Sequence, residues 1–170
     1  MNIRNSKSVH GVNLVSAFAL AVVLLATSGL GAQEDRWESQ GQGRGLEGTW
    51  RVQVSVLDCS TGAVQRSFPA LFAFAKGGTL TEGTAGQPPA LFTPGFGVWR
   101  RTGGHTYSAV FEAFAFNPAG VWIATHRFTR VIELDRGEDE FTDTIKLEIL
   151  DTSGNLIAPG CGSSTARRFK

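Results

Sequence analysis

Three charged side chains lie on otherwise apolar faces of two predicted strands, where they could do chemistry. His126 and Arg130 alternate with apolar residues along the sixth predicted strand, and Asp143 does the same along the seventh. Alternation with a period of two puts such residues on one side of a sheet. A charge that faces an apolar interior must meet an opposite charge, a polar group, water or a ligand. We expect these side chains to orient an amphipathic ligand, together with Tyr107 and Glu112 from the fifth strand.

The same residues have two other interpretations. They could form a satisfied internal cluster of ion pairs or lie near a solvated end of the barrel, or Asp143 and His126 could act as an acid and a base. The sequence contains no G-x-S-x-G, H-E-x-x-H, C-x-x-C or phosphate-binding loop motif. We therefore expect a binding protein rather than an enzyme, with no cofactor and no metal ion.

The first 32 residues have the order of a secretory signal peptide. The basic residues Arg4 and Lys7 precede an apolar run over residues 12–26, and a stretch of small residues ends at Ala32. The apolar run is shorter than the roughly 20 residues that span a bilayer. We expect cleavage after Ala32 and export to the periplasm or the extracellular space, with a retained anchor as the alternative.

The mature chain is close to neutral. Residues 1–32 contain two basic and no acidic residues, which leaves 14 Lys and Arg against 15 Asp and Glu among the remaining 138 residues. A chain with such a balance has no excess of positive charge that would attract nucleic acid or an anionic membrane. We expect neither partner, and 138 residues suit a single domain.

Both cysteines lie in the exported part. An even count in an oxidising compartment favours pairing, so a disulfide between Cys59 and Cys161 is predicted. Two inert buried thiols and a metal pair are the alternatives, and the second has no histidines at ligand spacing.

The mature part divides into a leader and a domain. Residues 33–46 are rich in Glu, Gln, Gly, Ser and Arg, show no apolar period and are predicted to be a flexible leader. Residues 47–170 are the predicted domain. Gly43, Gly45 and Gly48 match G-x-G-x-x-G, but a dinucleotide-binding fingerprint follows a strand, and these glycines precede one.

Turn residues divide the domain into eight apolar or alternating stretches. The predicted strands are residues 49–57, 68–76, 79–83, 97–102, 106–116, 121–134, 140–150 and 164–169. Their connections contain Gly, Asn and Asp, which favour turns, and no apolar period of 3.6 residues reaches helical length. The pattern predicts an all-β fold, an eight-stranded antiparallel up-and-down barrel. In such a barrel, the end of the first strand with Cys59 lies beside the start of the last with Cys161.

One connection is long, and the outer face carries apolar residues. Residues 84–95 contain three prolines and an apolar tip at Leu91 and Phe92. This segment is predicted either to cover the barrel mouth or to pack against the wall. On the fifth strand, Phe114 lies on the face opposite Phe111. Apolar residues on both faces indicate a covered outer wall, either through self-association as a homodimer or through the leader folding back onto it.

The segment Gly48-Thr49-Trp50 resembles the G-x-W motif that opens the first strand of lipocalins and the wider calycin group. In lipocalins this Trp closes one end of the barrel and an Arg of the last strand packs across it; Arg167 or Arg168 has that place here. The resemblance implies a barrel with a ligand cavity, although the middle motif of lipocalins has no counterpart. The chain also resembles uncharacterised secreted bacterial proteins in its Phe-Pro-Ala-Leu-Phe, Gly-Val-Trp-Arg and Gly-Asn-Leu-Ile phrases, and this implies no function.

Three functions follow from these observations. The first is a secreted binding protein for a hydrophobic or amphipathic small molecule. The second is a small barrel cyclase or isomerase that uses Asp143, His126 or Glu112. The third is a structural or interaction module whose barrel is filled by its own Phe and Trp side chains. An interior cavity of a few hundred cubic ångströms would separate the third from the others.

Overall fold

The computed structural model describes residues 45–170, which fold into eight strands. The predicted signal peptide and residues 33–44 of the predicted leader lie outside the described residues. The strands are β1 (Gly48–Leu57), β2 (Val64–Phe74), β3 (Thr79–Thr84), β4 (Gly95–Gly103), β5 (Thr106–Phe116), β6 (Trp122–Leu134), β7 (Glu140–Leu150) and β8 (Leu156–Arg168). No helix of a length and hydropathy sufficient to cross a membrane occurs within residues 45–170.

The strands form one closed antiparallel barrel in sequence order. Each strand pairs with the next one along the chain, and β8 returns to β1, with Trp50 opposite Arg168 and Leu57 opposite Cys161. The predicted eight-stranded up-and-down barrel is therefore confirmed. Closure gives every strand two neighbours, so no strand of the sheet is an edge strand along its whole length.

Two strands, β2 and β8, begin four or more residues earlier than predicted. β8 starts at Leu156 instead of residue 164, although it contains Pro159, which cannot donate a backbone hydrogen bond. Residues 156–160 pair with β7 but extend beyond the end of β1, so Pro159 needs no second partner. β2 starts at Val64, and Pro69 lies where β2 pairs only with β1. Both prolines are tolerated because one side of the strand is free.

One end of the barrel is filled by side chains. Trp50 is fully buried, and its ring centre lies 4.9 Å from that of Phe141. Its indole N–H donates a hydrogen bond to the backbone carbonyl of Leu46 at 3.0 Å. Leu46 falls in the leader by composition, yet its side chain is also fully buried. The folded domain therefore includes the residues just before β1.

Arg168 packs across this filled end. Its guanidinium carbon lies 4.2 Å from the centre of the Trp50 ring, a cation–π geometry. The same group donates hydrogen bonds to three backbone carbonyls, those of Gly45, Glu47 and Glu138. Arg168 is therefore the arginine in the place that the lipocalin resemblance implied.

Gly48 and Arg167 lie next to the stack of Arg168 on Trp50, and only Gly48 is constrained by it. Gly48 has a φ of 119°, and a Cβ atom there would lie 2.9 Å from Nη1 of Arg168, so the position requires glycine. Arg167 points outward and pairs with Glu140 at 3.0 Å on the surface. Of the two arginines, only Arg168 belongs to the filled end.

The outer wall carries exposed apolar side chains. Phe96 and Val98 on β4 are each 60% exposed, and Val110 is exposed on the neighbouring β5. Phe114 is also exposed, whereas Phe111 points into the barrel, as the alternation predicted. The homodimer inferred from such residues stays a prediction.

A disulfide joins Cys59 and Cys161, as predicted, with their Cα atoms 5.3 Å apart. Cys59 follows β1, and Cys161 lies in β8 opposite Leu57. The bond therefore links the first and last strands at the end of the barrel opposite Trp50.

Replacing both cysteines by serine should lower the free energy of unfolding by about 4 to 5 kcal/mol. The bond closes a loop with a sequence separation of 102 residues, and the unfolded chain loses much conformational entropy when such a loop is closed. Urea unfolding followed by tryptophan fluorescence measures the difference. The reduced wild type should unfold at the same urea concentration as the variant. If the oxidised wild type also unfolds at that concentration, the prediction is wrong.

Candidate ligand-binding cavity

A cavity of about 430 Å³ lies inside the barrel, between the filled end and the opposite rim. Apolar side chains form most of its wall, among them Val54 on β1, Phe72 on β2, Phe111 on β5 and Leu147 on β7. They point inward because every second residue of a strand lies on the same face. The disulfide borders the outer end of the cavity.

A buried ion pair forms the floor of this cavity. Arg130 is 1% exposed, and its guanidinium carbon lies 4.4 Å from the centre of the Phe72 ring. Its Nε lies 2.5 Å from Oδ2 of Asp143, and its Nη2 donates a hydrogen bond to Ser164 Oγ at 2.7 Å. Ser164 in turn donates to Oδ1 of Asp143 at 2.7 Å. Asp143 therefore neutralises Arg130, and the serine hydroxyl bridges them.

A second buried carboxyl faces the same space. Glu82 on β3 is 9% exposed and lines the cavity. Burial raises the pKa of Glu82 from 4.5 to about 7, although the charge of Arg130 and a hydrogen bond from the backbone N–H of Gly95 both lower it. None of the ion pairs within residues 45–170 includes Glu82. Its carboxyl therefore exchanges a proton near neutral pH.

His126 lies nearer the rim, on the same face of β6 as Arg130. Its ring is half-buried and lines the cavity, 5.2 Å from the ring of Phe92 in an edge-to-face arrangement. Burial lowers the pKa of His126, so the imidazole is neutral at pH 7. It offers a hydrogen-bonding group on an apolar wall and contributes no positive charge.

The long connection between β3 and β4 is fastened to the wall. The carbonyl of Leu91 accepts a hydrogen bond from the backbone N–H of Phe116 at 2.8 Å. The backbone N–H of Thr93 donates to the carbonyl of Phe114 at 3.1 Å, and Thr93 Oγ1 accepts from the Phe114 N–H at 2.9 Å. The segment packs against the end of β5, and its Phe92 also lines the cavity, so the structure has features of both predicted arrangements.

The structure separates the five residues predicted to bind a ligand. His126 and Arg130 line the cavity, and Asp143 lies behind Arg130 as its partner. Tyr107 points inward and is buried, but it lies at the filled end, with its ring centre 5.8 Å from that of Trp99. Two of the five thus contact the cavity directly.

Glu112 faces outward, so the prediction that it lies in the interior is wrong. Its carboxylate pairs with Arg127 at 2.7 Å, and both side chains are more than one-third exposed. Tyr107 and Glu112 lie an odd number of positions apart on β5, so a regular strand cannot place both on one face. Its partner Arg127 lies directly opposite on β6.

Glu82 is the cavity residue that the sequence analysis missed. A signal for it was present, because Glu82 alternates with the apolar Leu80 on β3 and so shares its inward face. Six residues give too few alternations to fix a face when polar residues occupy most positions. Ser164 was missed because its segment was predicted only as the start of the last strand.

Comparisons of the chain with known protein families, characterised proteins and solved structures find no match. Within residues 45–170, no group of three or more His, Cys, Asp and Glu side chains is arranged to hold a metal ion. The geometry of the cavity is therefore the basis for any function.

Replacing Asp143 by asparagine should lower the free energy of unfolding by about 3 to 5 kcal/mol, because Arg130 would be left buried without its counter-charge. Glu112→Gln is the matched control, since it removes a carboxylate from an exposed ion pair and should cost less than about 1 kcal/mol. Urea unfolding of both variants at pH 7 tests the comparison. Equal effects of the two substitutions would contradict a buried ion pair at the floor.

The wild type should lose stability relative to Glu82→Gln as the pH rises. The folded pKa of about 7 lies above the ordinary value of 4.5, so the folded state holds the Glu82 proton more tightly than the unfolded chain does. That stabilisation is present at acidic pH and disappears between about pH 4.5 and pH 8. The difference should reach the order of 3 kcal/mol.

Urea unfolding of both proteins across this pH range measures the effect. Taking the difference between wild type and variant cancels the titration of groups that the two proteins share. A difference that stays constant with pH would show that the pKa of Glu82 is the same in the folded protein as in the unfolded chain.

Proposed function

We propose that the mature chain is an exported protein that binds a hydrophobic or amphipathic small molecule inside its barrel. The observation that carries this proposal is a cavity of about 430 Å³ with an apolar wall and polar groups at one end. Small-molecule sites have volumes of about 300 to 1,000 Å³ and combine apolar walls with a few placed polar groups. A barrel packed with its own side chains would lack such a space.

The polar groups of the cavity lie mainly at one end, so the two ends of a bound ligand would meet different surroundings. Arg130 and Glu82 lie at the floor, His126 lies on the wall, and the apolar side chains of Val54, Phe128 and Leu147 line the space as well. An amphipathic molecule would place its polar end at the floor and its apolar body along the wall. This orientation buries apolar surface, which supplies most of the binding free energy.

Two features support the lipocalin-like and exported character that this proposal includes. The packing of Arg168 on Trp50 beside Gly48 matches the end closure that the resemblance implies. The disulfide is typical of proteins that fold in an oxidising compartment, which agrees with a signal peptide over residues 1–32. The periplasm and the extracellular space fit these features equally well.

The enzyme alternative receives less support from the geometry. Of its three candidate residues, Glu112 lies outside the barrel and Asp143 is held by Arg130 and Ser164. Of these three residues, only His126 contacts the cavity. The enzyme alternative requires an acid beside His126, but neither Asp143 nor Glu112 forms a hydrogen bond or an ion pair with it. We therefore propose binding without turnover.

Titration with N-phenyl-1-naphthylamine, an apolar fluorophore, tests the proposal. The wild type should bind the probe with a rise in fluorescence, and Ala113→Phe should weaken binding by about tenfold or more, because the added ring occupies the cavity. Val110→Phe is the matched control on the same strand, since Val110 points outward. Native mass spectrometry of the mature protein would show any small molecule that copurifies.

Two results would overturn the proposal. If the wild type binds no probe and copurifies with no small molecule, the barrel is a structural module. If the two phenylalanine variants lose affinity equally, the probe binds outside the barrel.

A further inference from the structure

The charges at the cavity floor do not balance when every group is ionised. Arg130 supplies one positive charge, while Asp143 and Glu82 supply two carboxylates. Asp143 already neutralises Arg130, since its Oδ2 lies 2.5 Å from Arg130 Nε, and its Oδ1 accepts a hydrogen bond from Ser164, although the Nε–Oδ2 contact does not have the geometry of a hydrogen bond. Glu82 is therefore the group that lacks a counter-charge.

The other charged groups around the cavity do not supply this counter-charge. His126 on β6 is neutral at pH 7, because burial lowers its pKa. Asp58 and Arg66 lie at the rim, carry opposite charges, and contact the cavity only at its outer end. No cation within residues 45–170 lies within ion-pair distance of the Glu82 carboxyl. A buried carboxyl without a counter-charge favours a positive group or a strong donor from the ligand.

Aromatic faces near the floor favour the same kind of group. The rings of Phe111 and Phe128 stack with centres 4.7 Å apart, and both line the cavity. Phe111 lies beside Glu82: a Cβ atom on Gly95 would stand 2.7 Å from the Phe111 ring and 3.1 Å from Glu82 Oε2. An ammonium group next to Glu82 would therefore lie close to the Phe111 ring, and a cation placed over the face of such a ring is attracted to it.

We propose that the ligand is an amphipathic amine, whose protonated nitrogen pairs with Glu82 at the cavity floor and whose apolar body fills the barrel. This inference rests on the function proposed above and adds the chemical class of the ligand. A carboxylate ligand would bring a third negative charge to a floor whose single cation is already neutralised. A neutral alcohol would make a hydrogen bond but leave the charge of Glu82 uncompensated.

The amine class predicts the direction of proton exchange on binding. At pH 7, about half of the Glu82 side chains carry a proton, since the pKa is about 7. An ammonium group would lower that pKa and release about half a proton per ligand. A carboxylate ligand would raise the pKa and take up about half a proton, so the two classes give opposite signs.

Isothermal titration with decylamine, decan-1-ol and decanoic acid tests the inference, because these probes share one chain length and differ in the head group. Each is titrated at pH 7 in two buffers of different ionisation enthalpy, which reports the protons exchanged. Decylamine should bind about tenfold tighter than decan-1-ol and release protons. Decanoic acid should bind most weakly.

Two carboxylate substitutions complete the experiment. Glu82→Gln should reduce the ratio of amine to alcohol affinity to about one and abolish the proton release. Glu112→Gln changes the net charge equally on the outer surface, and it should leave both the ratio and the proton release unchanged.

The outcomes separate this inference from the proposed function. Equal binding of amine and alcohol, tightest binding of the acid with proton uptake, or an equal effect of the two substitutions would overturn the amine assignment while ligand binding stands. Binding of none of the three probes, together with no binding of N-phenyl-1-naphthylamine, would overturn the proposed function as well.

Discussion

Pairing between β1 and β8 is the interaction on which the rest of the structure depends. Residues 50–57 pair with residues 161–168, and this contact turns a sheet with two free edges into a barrel. The disulfide lies at one end of this seam, and the stack of Arg168 on Trp50 lies at the other. Both therefore hold together strands that are far apart in the sequence. Without closure, the inward residues of the eight strands would not face a common interior.

The two ends of the barrel interior differ in how completely side chains fill them. Trp50, Phe74 and Phe141 pack together and fill one end, whereas a space of about 430 Å³ stays open at the other, between aromatic residues such as Phe111 and aliphatic ones such as Leu147. Charged groups lie at the boundary, where Asp143 neutralises the charge of Arg130 and Glu82 faces the space. A buried carboxyl there holds its proton more tightly than in water, because the apolar surroundings disfavour its charge. The amine proposal follows from that one unpaired group.

Much of this fold could be predicted from local patterns. Turn residues and alternation gave eight strands, and the inward faces of β1, β6 and β7 followed from the same period of two. The predicted strand bounds were wrong where a strand contains a residue that disfavours strands, such as proline. Pro159 lies within β8 because the barrel leaves one side of that segment unpaired, a fact that no local pattern contains. Glu112 was placed inside although its parity relative to Tyr107 excludes this.

The sequence by itself determined the strand order, the alternating faces and the pairing of Cys59 with Cys161, because turn chemistry, a two-residue period and the count of cysteines are local or additive properties. Only the tertiary structure decided which inward groups meet. Arg130 contacts Asp143 and Ser164, while Glu82 remains without an ion pair, because these contacts depend on the register between strands and on their distance across the barrel. The same three-dimensional packing decided where the interior is filled and where it is empty.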